Sequence, residues 1–293
     1  MSRLEVRVGS WIIMEENAVA AVRSALARQG LQCLKIETLS PQGFGKKTGR
    51  CTFRIEATNG TLLKARCLES IEEAVRLVEV RSRVSPSFSP VLARHGSVLL
   101  EPWIAGDQLS LTLAAARAEE MGSLLGCLHA TDLGVKQDCI STQERRERAA
   151  GQLATLAQSR VLSTDLSENL RAELHRCDPI QAPSVLVHMD YCPENLVVDP
   201  GGSLHVIDNE WLRIDAAGAD LGRTYSRWLM TDDAWKRFMD GYSKTAPAHP
   251  GPLRFWQIVM AAAGAIVRLR KSAEELAEPL TRLRELAGAA TPR

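Results

Sequence analysis

The chain has 293 residues, of which 45% are hydrophobic and 24% are charged, and its formal net charge is +1 at pH 7. These ordinary globular values predict a folded protein long enough for two lobes, and they give no support for binding to nucleic acid or to an anionic membrane. The seven cysteines include no Cys-x-x-Cys pair, so neither a disulfide framework nor a zinc site is indicated. Without a signal peptide or an apolar run of membrane-spanning length, we expect a cytoplasmic location, as a monomer or a homodimer.

The N-terminal part is predicted to contain an extension and then a small sheet. Residues 1–30 form the extension, with a helix rich in Ala and Arg that Gly30 ends. Short strand patterns follow, and Asn59-Gly60 between two of them is a strong hairpin signal. The predicted elements here are strands at 33–39, 51–57, 61–67 and 98–102, and a helix at 69–83.

From residue 110 onward, helical periodicity dominates the sequence. The predicted helices cover 110–130, 142–158, 165–176, 220–243 and 251–288. The sequence therefore predicts an α+β protein with a small antiparallel β-sheet lobe and a larger, mainly helical lobe. We place the domain boundaries at 1–30 for the extension, 31–103 for the first lobe and 104–293 for the second.

A polar cluster and a predicted hairpin lie within the second lobe. The cluster runs from His188 to Asn195, and the turn Asp-Pro-Gly-Gly at 199–202 connects two apolar runs, the second of which leads to Asp208. A hairpin of this kind can bring Asp190, Asn195 and Asp208 together. One carboxylate to orient a hydroxyl, with an amide and a carboxylate to hold Mg²⁺, suits phosphoryl transfer. The alternative is an ordinary hairpin with an aspartate that forms a turn or a cap.

These residues resemble the aminoglycoside phosphotransferase and choline kinase family, the small-molecule relatives of protein kinases. His188, Asp190 and Asn195 fit the family's His-x-Asp-x-x-x-x-Asn loop, and Asp208 with Glu210 fits its Ile-Asp-x-Glu/Asp motif. The resemblance implies a bilobal, protein-kinase-like fold. It also implies an enzyme that uses Mg²⁺ and ATP or GTP to phosphorylate a hydroxyl of a small molecule.

The resemblance assigns a role to each residue of the two motifs. Asp190 orients the acceptor hydroxyl and takes its proton, while Asn195 and Asp208 hold the metal. His188 is expected to hold the loop together by hydrogen bonds. Glu210 either supports the metal or forms a structural salt bridge. Downstream, Asp220 is expected to cap or anchor the helix that follows it.

The candidate nucleotide-binding residues lie in the first lobe. Gly43 and Gly45 follow the first strand in a segment that either lets backbone N–H groups approach phosphates or simply forms a turn. By resemblance, Lys64 on the third strand pairs with the phosphates and a helix glutamate supports it; Glu73 is chosen over its neighbours Glu72 and Glu79.

The segment from Leu99 to Gly106 is predicted to be the hinge between the lobes. By resemblance, the main chain there holds adenine, so Glu101 and Trp103 are included among the nucleotide-binding candidates. Trp103 either packs on the base or fills the lobe boundary.

The acceptor is the least determined part of the prediction. Aminoglycosides need carboxylates, for which Asp215 is a candidate, and choline or ethanolamine needs an aromatic cage, for which Trp211 and Trp228 are candidates. Tryptophan at helical spacing is more often part of a core. The run from Arg223 to Arg227 suits neither subfamily, which leaves another antibiotic or a sugar-type acceptor open. We take an aminoglycoside or other antibiotic as the leading hypothesis.

Two other classes of protein share parts of this pattern. A nucleotide-binding pseudokinase is expected to lack Asp190, Asn195 or Asp208, and all three are present. A protein kinase is expected to carry Asp-Phe-Gly and a long activation segment, whereas this chain has Asp-Asn-Glu followed by a short run. Both alternatives are therefore disfavoured.

Overall fold

The computed structural model describes residues 3–39, 51–134, 142–177, 184–228, 230–247, 250–269 and 273–288. Packing divides the chain into two compact units. The first consists of Met1–Asp107 and Val197–Ile207, and the second of Gln108–Leu196 and Asp208–Arg293. No helix among the described residues is both long enough and apolar enough to cross a membrane.

A five-stranded antiparallel sheet forms the centre of the first unit, with strand order β1-β2-β3-β5-β4. The predicted hairpin at Asn59-Gly60 is confirmed: Gly60 has φ +81°, and the Asn59 side chain accepts a hydrogen bond from the Thr61 N–H at 3.1 Å. The elements are α1 (Arg3–Arg28), β1 (Cys33–Thr38), β2 (Cys51–Ala57), β3 (Leu62–Cys67), α2 (Ile71–Arg81), β4 (Ala93–His95) and β5 (Val98–Pro102).

The N-terminal helix α1 belongs to this unit and is longer than the sequence indicates. Its C-terminal half lies on the sheet, where Val22 and Leu26 are fully buried against Phe53, Ile55 and Leu100. Burying a Val or Leu side chain stabilises a fold by about 1.5–3 kcal/mol. The extension whose role the sequence leaves open is thus part of a hydrophobic core.

Helices make up most of the second unit, as expected. Within this unit, β7 pairs antiparallel with β10. A small sheet in the order β6-β8-β9 consists mostly of residues of the first unit. The elements from residue 107 onward are β6 (Asp107–Gln108), α3 (Leu111–Ala116), α4 (Ala118–His129), α5 (Gln143–Gln158), α6 (Thr164–Arg176), β7 (Ser184–Val187), β8 (Leu196–Val198), β9 (Leu204–Val206), β10 (Arg213–Ala216), α7 (Ala217–Arg227), α8 (Asp232–Thr245), α9 (Leu253–Leu269) and α10 (Ala273–Leu286).

The prediction of one helix over 251–288 is wrong, because α9 and α10 are separate helices that pack against each other. α9 is buried almost all round, with Phe255 and Trp256 fully inaccessible, and it also contacts α5 and α7. A single straight helix could not bury its own apolar faces in this way.

The prediction of one helix over 220–243 is also wrong. α7 ends at Arg227, and α8 starts after Thr231, whose hydroxyl accepts a hydrogen bond from the Ala234 N–H at 3.2 Å. The Thr-Asp-Asp sequence at 231–233 is an N-cap signal that the longer prediction overlooked. Likewise, the predicted helix at 110–130 is two helices, α3 and α4, and strands β7 and β10 were not predicted.

Helices α4 and α8 cross at very close range. A Cβ placed on Gly122 of α4 would lie 1.8 Å from the Phe238 carbonyl oxygen, and one on Gly241 of α8 would lie 1.9 Å from the Glu119 carbonyl oxygen. No side chain fits at either position unless the two backbones move apart. His129 lies at the end of α4 and Tyr242 lies on α8, so this contact fixes the relative positions of these two side chains.

Gly122→Ala is expected to lower the free energy of unfolding by about 3 kcal/mol, because the new methyl group overlaps the backbone of α8. Gly151→Ala on α5 is the matched control: nothing lies within 4 Å of its added Cβ, so this change should be neutral or stabilise by about 0.5–1 kcal/mol. Urea unfolding followed by tryptophan fluorescence measures both. Equal effects of the two substitutions would contradict this description of the α4–α8 contact.

Candidate active site

The loop at 188–195 follows β7, a strand whose four residues are all buried. Asp220, in the first turn of α7, holds the beginning of this loop. Its two carboxylate oxygens accept hydrogen bonds from the backbone N–H groups of His188 at 2.6 Å and Met189 at 2.7 Å. Asp220 was expected to cap or anchor its own helix; instead its carboxylate caps the backbone of the neighbouring loop.

A second layer of buried polar groups supports Asp220. His129 Nε2 lies 3.1 Å from the Asp220 carboxylate, and His129 Nδ1 lies 2.8 Å from the Tyr242 hydroxyl. Burial alone would raise the pKa of Asp220, but its hydrogen bonds with His129 and with the backbone N–H of His188, together with the nearby imidazoles, hold that pKa below its ordinary value. Asp220 is therefore a buried, ionised acceptor that is fully engaged.

The side chain of Asp190 lies near the surface, held by contacts from several directions. Its backbone N–H donates to His188 Nδ1 at 3.3 Å, a side-chain hydrogen bond within the loop. The Asn195 amide nitrogen donates to the Asp190 carbonyl oxygen at 2.8 Å and to its Oδ2 at 3.2 Å. Met189, which lies between His188 and Asp190, has φ +65°, a left-handed conformation that turns the chain sharply before Asp190. A half-exposed carboxylate in a fixed orientation results.

The hairpin of β8 and β9 relates Asn195 to Asp208. Its turn closes with the Asp199 N–H donating to the Ser203 carbonyl at 3.0 Å, and counting back along both strands places Leu196 opposite Val206. Asn195 precedes β8 and Asp208 follows β9, so both residues lie beyond the open end of the hairpin. Asp208 has φ +59°, again left-handed, and it begins a 3-10 turn.

Asn195 and Asp208 offer the donor types that Mg²⁺ prefers. The nitrogen of the Asn195 amide is used by Asp190, so the atom left to face a ligand is the amide oxygen. Together with the carboxylate of Asp208, this gives a set of oxygen donors, and magnesium sites commonly combine one or two such groups with phosphates and water. The residues present fit the ion.

The nucleotide candidates all lie in the first unit, apart from two that fall outside the described residues, Gly43 and Gly45. Lys64 lies on β3, where it stands opposite Glu101 of β5. Glu73 is in the first turn of α2, and its N–H donates to the Ser70 hydroxyl at 3.1 Å. The ring of Trp103 is half-buried, with the guanidinium of Arg54 at 5.2 Å from its centroid.

Glu101 is a buried partner of arginines. Its carboxylate receives Arg81 Nη1 at 2.6 Å and lies 3.7 Å from Arg66 Nε, and all three side chains are almost inaccessible. Burial opposes ionisation, but Arg81 and Arg66 hold the pKa of Glu101 below its ordinary value. The side chain is thus committed to a structural ion pair, so any contact with a nucleotide falls to its main chain.

The acceptor candidates are similarly committed, with one exception. Asp215 is only 2% exposed and is paired with Arg145 at 2.9 Å and with Arg213 at 3.1 Å. Trp228 is 1% exposed and makes an edge contact with Phe238, so it is part of the core. Trp211, in the 3-10 turn with Glu210, is 36% exposed and is the accessible one of the two tryptophans.

Sequence reasoning missed several residues that the structure brings to this loop. His129 contacts Asp220, and Tyr242 contacts His129. No local pattern distinguishes His129 from an ordinary core residue, whereas Gly241-Tyr242 resembles a Gly-Tyr pair of the family without indicating this contact. Arg223 and Arg227 flank the carboxylate of Asp190, at 3.5 Å and 3.8 Å from its Oδ1. Their sequence signal was visible, because the two arginines one turn apart suit neither subfamily.

The chain belongs to the Phosphotransferase enzyme family, whose model matches residues 91–256, more than half of its length. It is therefore a phosphotransferase that acts on hydroxyl groups, and the resemblance carried by His188, Asp190 and Asn195 is confirmed. A comparison with curated protein sequences gave no match.

Solved structures show the same protein-kinase-like fold. A protein from Ralstonia eutropha JMP134, provisionally assigned as an aminoglycoside phosphotransferase, is 18% identical, with a TM-score of 0.63 over 92% of this chain and 95% of that one. A macrolide 2'-phosphotransferase from Brachybacterium faecium is 17% identical, with a TM-score of 0.62 over 91% and 98%. A choline kinase from Streptococcus pneumoniae is 14% identical, with a TM-score of 0.60 over 89% and 95%. The α+β fold class is confirmed.

Asp220→Asn is expected to lower the free energy of unfolding at pH 7 by about 3 kcal/mol, because a neutral amide cannot accept every hydrogen bond that the buried carboxylate receives. Since the folded-state pKa of Asp220 lies below the ordinary 3.8, its contribution is complete above that pH and is lost as the pH falls through the folded-state pKa. The difference between the two proteins should therefore shrink in acid.

Urea unfolding across a pH series measures this effect. Asp240→Asn, at an exposed position on α8, is the matched control and should change stability by less than about 0.5 kcal/mol. A loss in Asp220→Asn no larger than in the control would show that the loop does not depend on this carboxylate.

Proposed function

We propose that this protein transfers the γ-phosphoryl group of ATP or GTP to a hydroxyl of a small molecule, with Asp190 as the catalytic residue. The observation that carries the proposal is the half-exposed carboxylate of Asp190, whose orientation is held by the amide nitrogen of Asn195. Family membership supplies the reaction class, and this geometry supplies the residues.

The chemistry assigned to Asp190 is positioning followed by proton acceptance. The acceptor hydroxyl donates a hydrogen bond to the carboxylate, which aims its oxygen at the γ-phosphorus. As the new phosphorus–oxygen bond forms, the bond to the β-phosphate oxygen breaks and the nucleoside diphosphate leaves. The hydroxyl proton passes to Asp190 late in the step and then to solvent.

Asn195 and Asp208 are proposed to hold Mg²⁺, which, when bound, neutralises charge on the nucleotide phosphates. Asn195 would then have a double role, because the same amide keeps Asp190 oriented through its nitrogen. Glu210, two residues after Asp208, is proposed to support this arrangement.

Nucleotide binding is proposed for Lys64, with Glu73 as its helix partner and with the main chain near Glu101 and Trp103 as the adenine contact. Gly43 and Gly45 remain candidates by sequence alone. The position of Lys64 on β3 supports its role, because a lysine at this point of the family fold pairs with phosphates. A cytoplasmic location remains a prediction from the sequence.

Asp190→Asn is expected to reduce phosphoryl transfer by about 10²–10⁴-fold while leaving Mg-nucleotide affinity within about threefold, because the carboxylate serves the acceptor. Asp208→Asn is expected to weaken Mg²⁺-dependent nucleotide binding by at least about tenfold, because a charged ligand is lost. Asp240→Asn is the control for both.

Calorimetric binding of Mg-ATP and Mg-GTP measures affinity. Release of nucleoside diphosphate measures transfer across aminoglycosides, other hydroxylated antibiotics, choline, ethanolamine and sugars. Transfer that persists in Asp190→Asn, or a protein that binds neither nucleotide, would refute the proposal.

A further inference from the structure

Two arginines of α7 lie next to the catalytic carboxylate. Asp220, Arg223 and Arg227 are spaced i, i+3 and i+7, so they occupy one face of the helix. Asp220 binds the backbone at the start of the loop, and the arginines follow along the same loop. Arg223 Nη2 lies 3.5 Å and Arg227 Nε lies 3.8 Å from Asp190 Oδ1. The anchoring of the loop therefore also brings two guanidinium groups to Asp190.

Neither guanidinium uses all of its N–H donors in hydrogen bonds to the described residues. Among the described residues, the polar contact of the Arg223 side chain is the 3.5 Å one with Asp190. Arg227 adds a 3.7 Å contact with the Cys192 sulfur and lies within electrostatic reach of Glu194 and Glu278. Within the part of the chain that the structure describes, no other carboxylate lies within 4 Å of either group. Their side chains are 28% and 18% exposed, so the N–H donors that these contacts do not use are partly open to solvent and available to a ligand.

The two sides of the Asp190 carboxylate are chemically distinct. Oδ2 receives the amide of Asn195, the proposed metal ligand, whereas Oδ1 faces Arg223 and Arg227. In the proposed function, the metal and the nucleotide phosphates lie on the Asn195 side. The arginines therefore lie on the side that is left for the acceptor.

We propose that Arg223 and Arg227 bind an anionic group of the acceptor, a carboxylate or a phosphate, beside the hydroxyl that is phosphorylated. This inference rests on the proposed function and names the substrate class of the same site. An arginine fork matches both anions through paired N–H donors. The acceptor is thus a hydroxylated acid or phosphate ester.

The same charges disfavour a cationic acceptor. An ammonium group at Asp190 Oδ1 would lie next to two positive charges. Asp215, the carboxylate that the sequence offers for binding an ammonium group, is already paired with two other arginines. Arg227 further illustrates the balance: burial lowers the pKa of this guanidinium, while Asp190 and the Cys192 sulfur raise it, and it stays charged. Aminoglycosides and choline are consequently poor fits on this side of Asp190.

The test compares acceptor compounds that share one carbon skeleton and differ in charge. Glycerol, glycerate, glycerol 3-phosphate and 3-aminopropane-1,2-diol form one series, and glucose, glucuronate, glucose 6-phosphate and glucosamine form another. Binding of each compound is measured by calorimetry to the full chain saturated with Mg²⁺ and a non-hydrolysable ATP analogue. In at least one series, an anionic member should bind about 10–100-fold more tightly than the neutral and cationic members. The carboxylate and phosphate arms show which anion is preferred.

Arg223→Gln/Arg227→Gln should reduce that preference to within about threefold, because it removes both charges. Arg148→Gln/Arg237→Gln is the matched control: it removes the same charge from two helix arginines, 61% and 41% exposed in their side chains, that pair with Glu144 and Asp233. This control should keep the preference. Unfolding curves of both variants show whether each is folded.

Three outcomes would overturn the inference: no preference for an anion in either series, a preference for the cationic member, or a preference that survives loss of both arginines. The proposed function fails separately, because it requires the nucleotide analogue to bind. A protein that binds the analogue but shows no charge preference would refute only the assignment of the acceptor class.

Discussion

The active loop depends on one buried carboxylate. Asp220 accepts hydrogen bonds from the backbone of His188 and Met189, and it does so as an anion because His129 and these N–H groups offset the cost of burial. Met189 has a left-handed backbone conformation that turns the chain before Asp190, so the direction of the Asp190 side chain is defined. Without this anchor, neither Asn195 nor the arginines of α7 would have a fixed carboxylate to contact. The geometry around the proposed catalytic residue thus starts from Asp220, which is fully buried.

The helical packing explains why this anchor can be rigid. Gly122 and Gly241 let α4 and α8 approach at backbone contact distance, and this places His129 within reach of Tyr242. Close-packed interiors hold side chains in single arrangements and transmit small displacements. The polar chain from Tyr242 through His129 to Asp220 is fully enclosed in such an interior, which links the general fold of the second unit directly to the loop.

Short-range chemistry in the sequence was sufficient to predict the loop, the hairpin and the α+β class. The Asp-Pro-Gly-Gly turn and the spacing of Asp190 and Asn195 are local signals, and the family match confirms the class. Helix boundaries failed where the break depends on packing, as between α9 and α10. The contacts of Asp220 with His129 and of Arg223 with Asp190 join residues far apart in the sequence, so no local periodicity reveals them. The two arginines stand out in the sequence, but their proximity to Asp190 does not follow from it.

In the proposed arrangement around Asp190, the metal is bound on the Asn195 side and the acceptor on the side of Arg223 and Arg227. A crystal structure with Mg²⁺ and a non-hydrolysable ATP analogue tests it most directly. We expect the ion to be bound by the amide oxygen of Asn195 and the carboxylate of Asp208, with Asp190 Oδ1 left facing Arg223 and Arg227. A metal bound through Asp190 Oδ1, or nucleotide phosphates seated on the two arginines, would contradict the account.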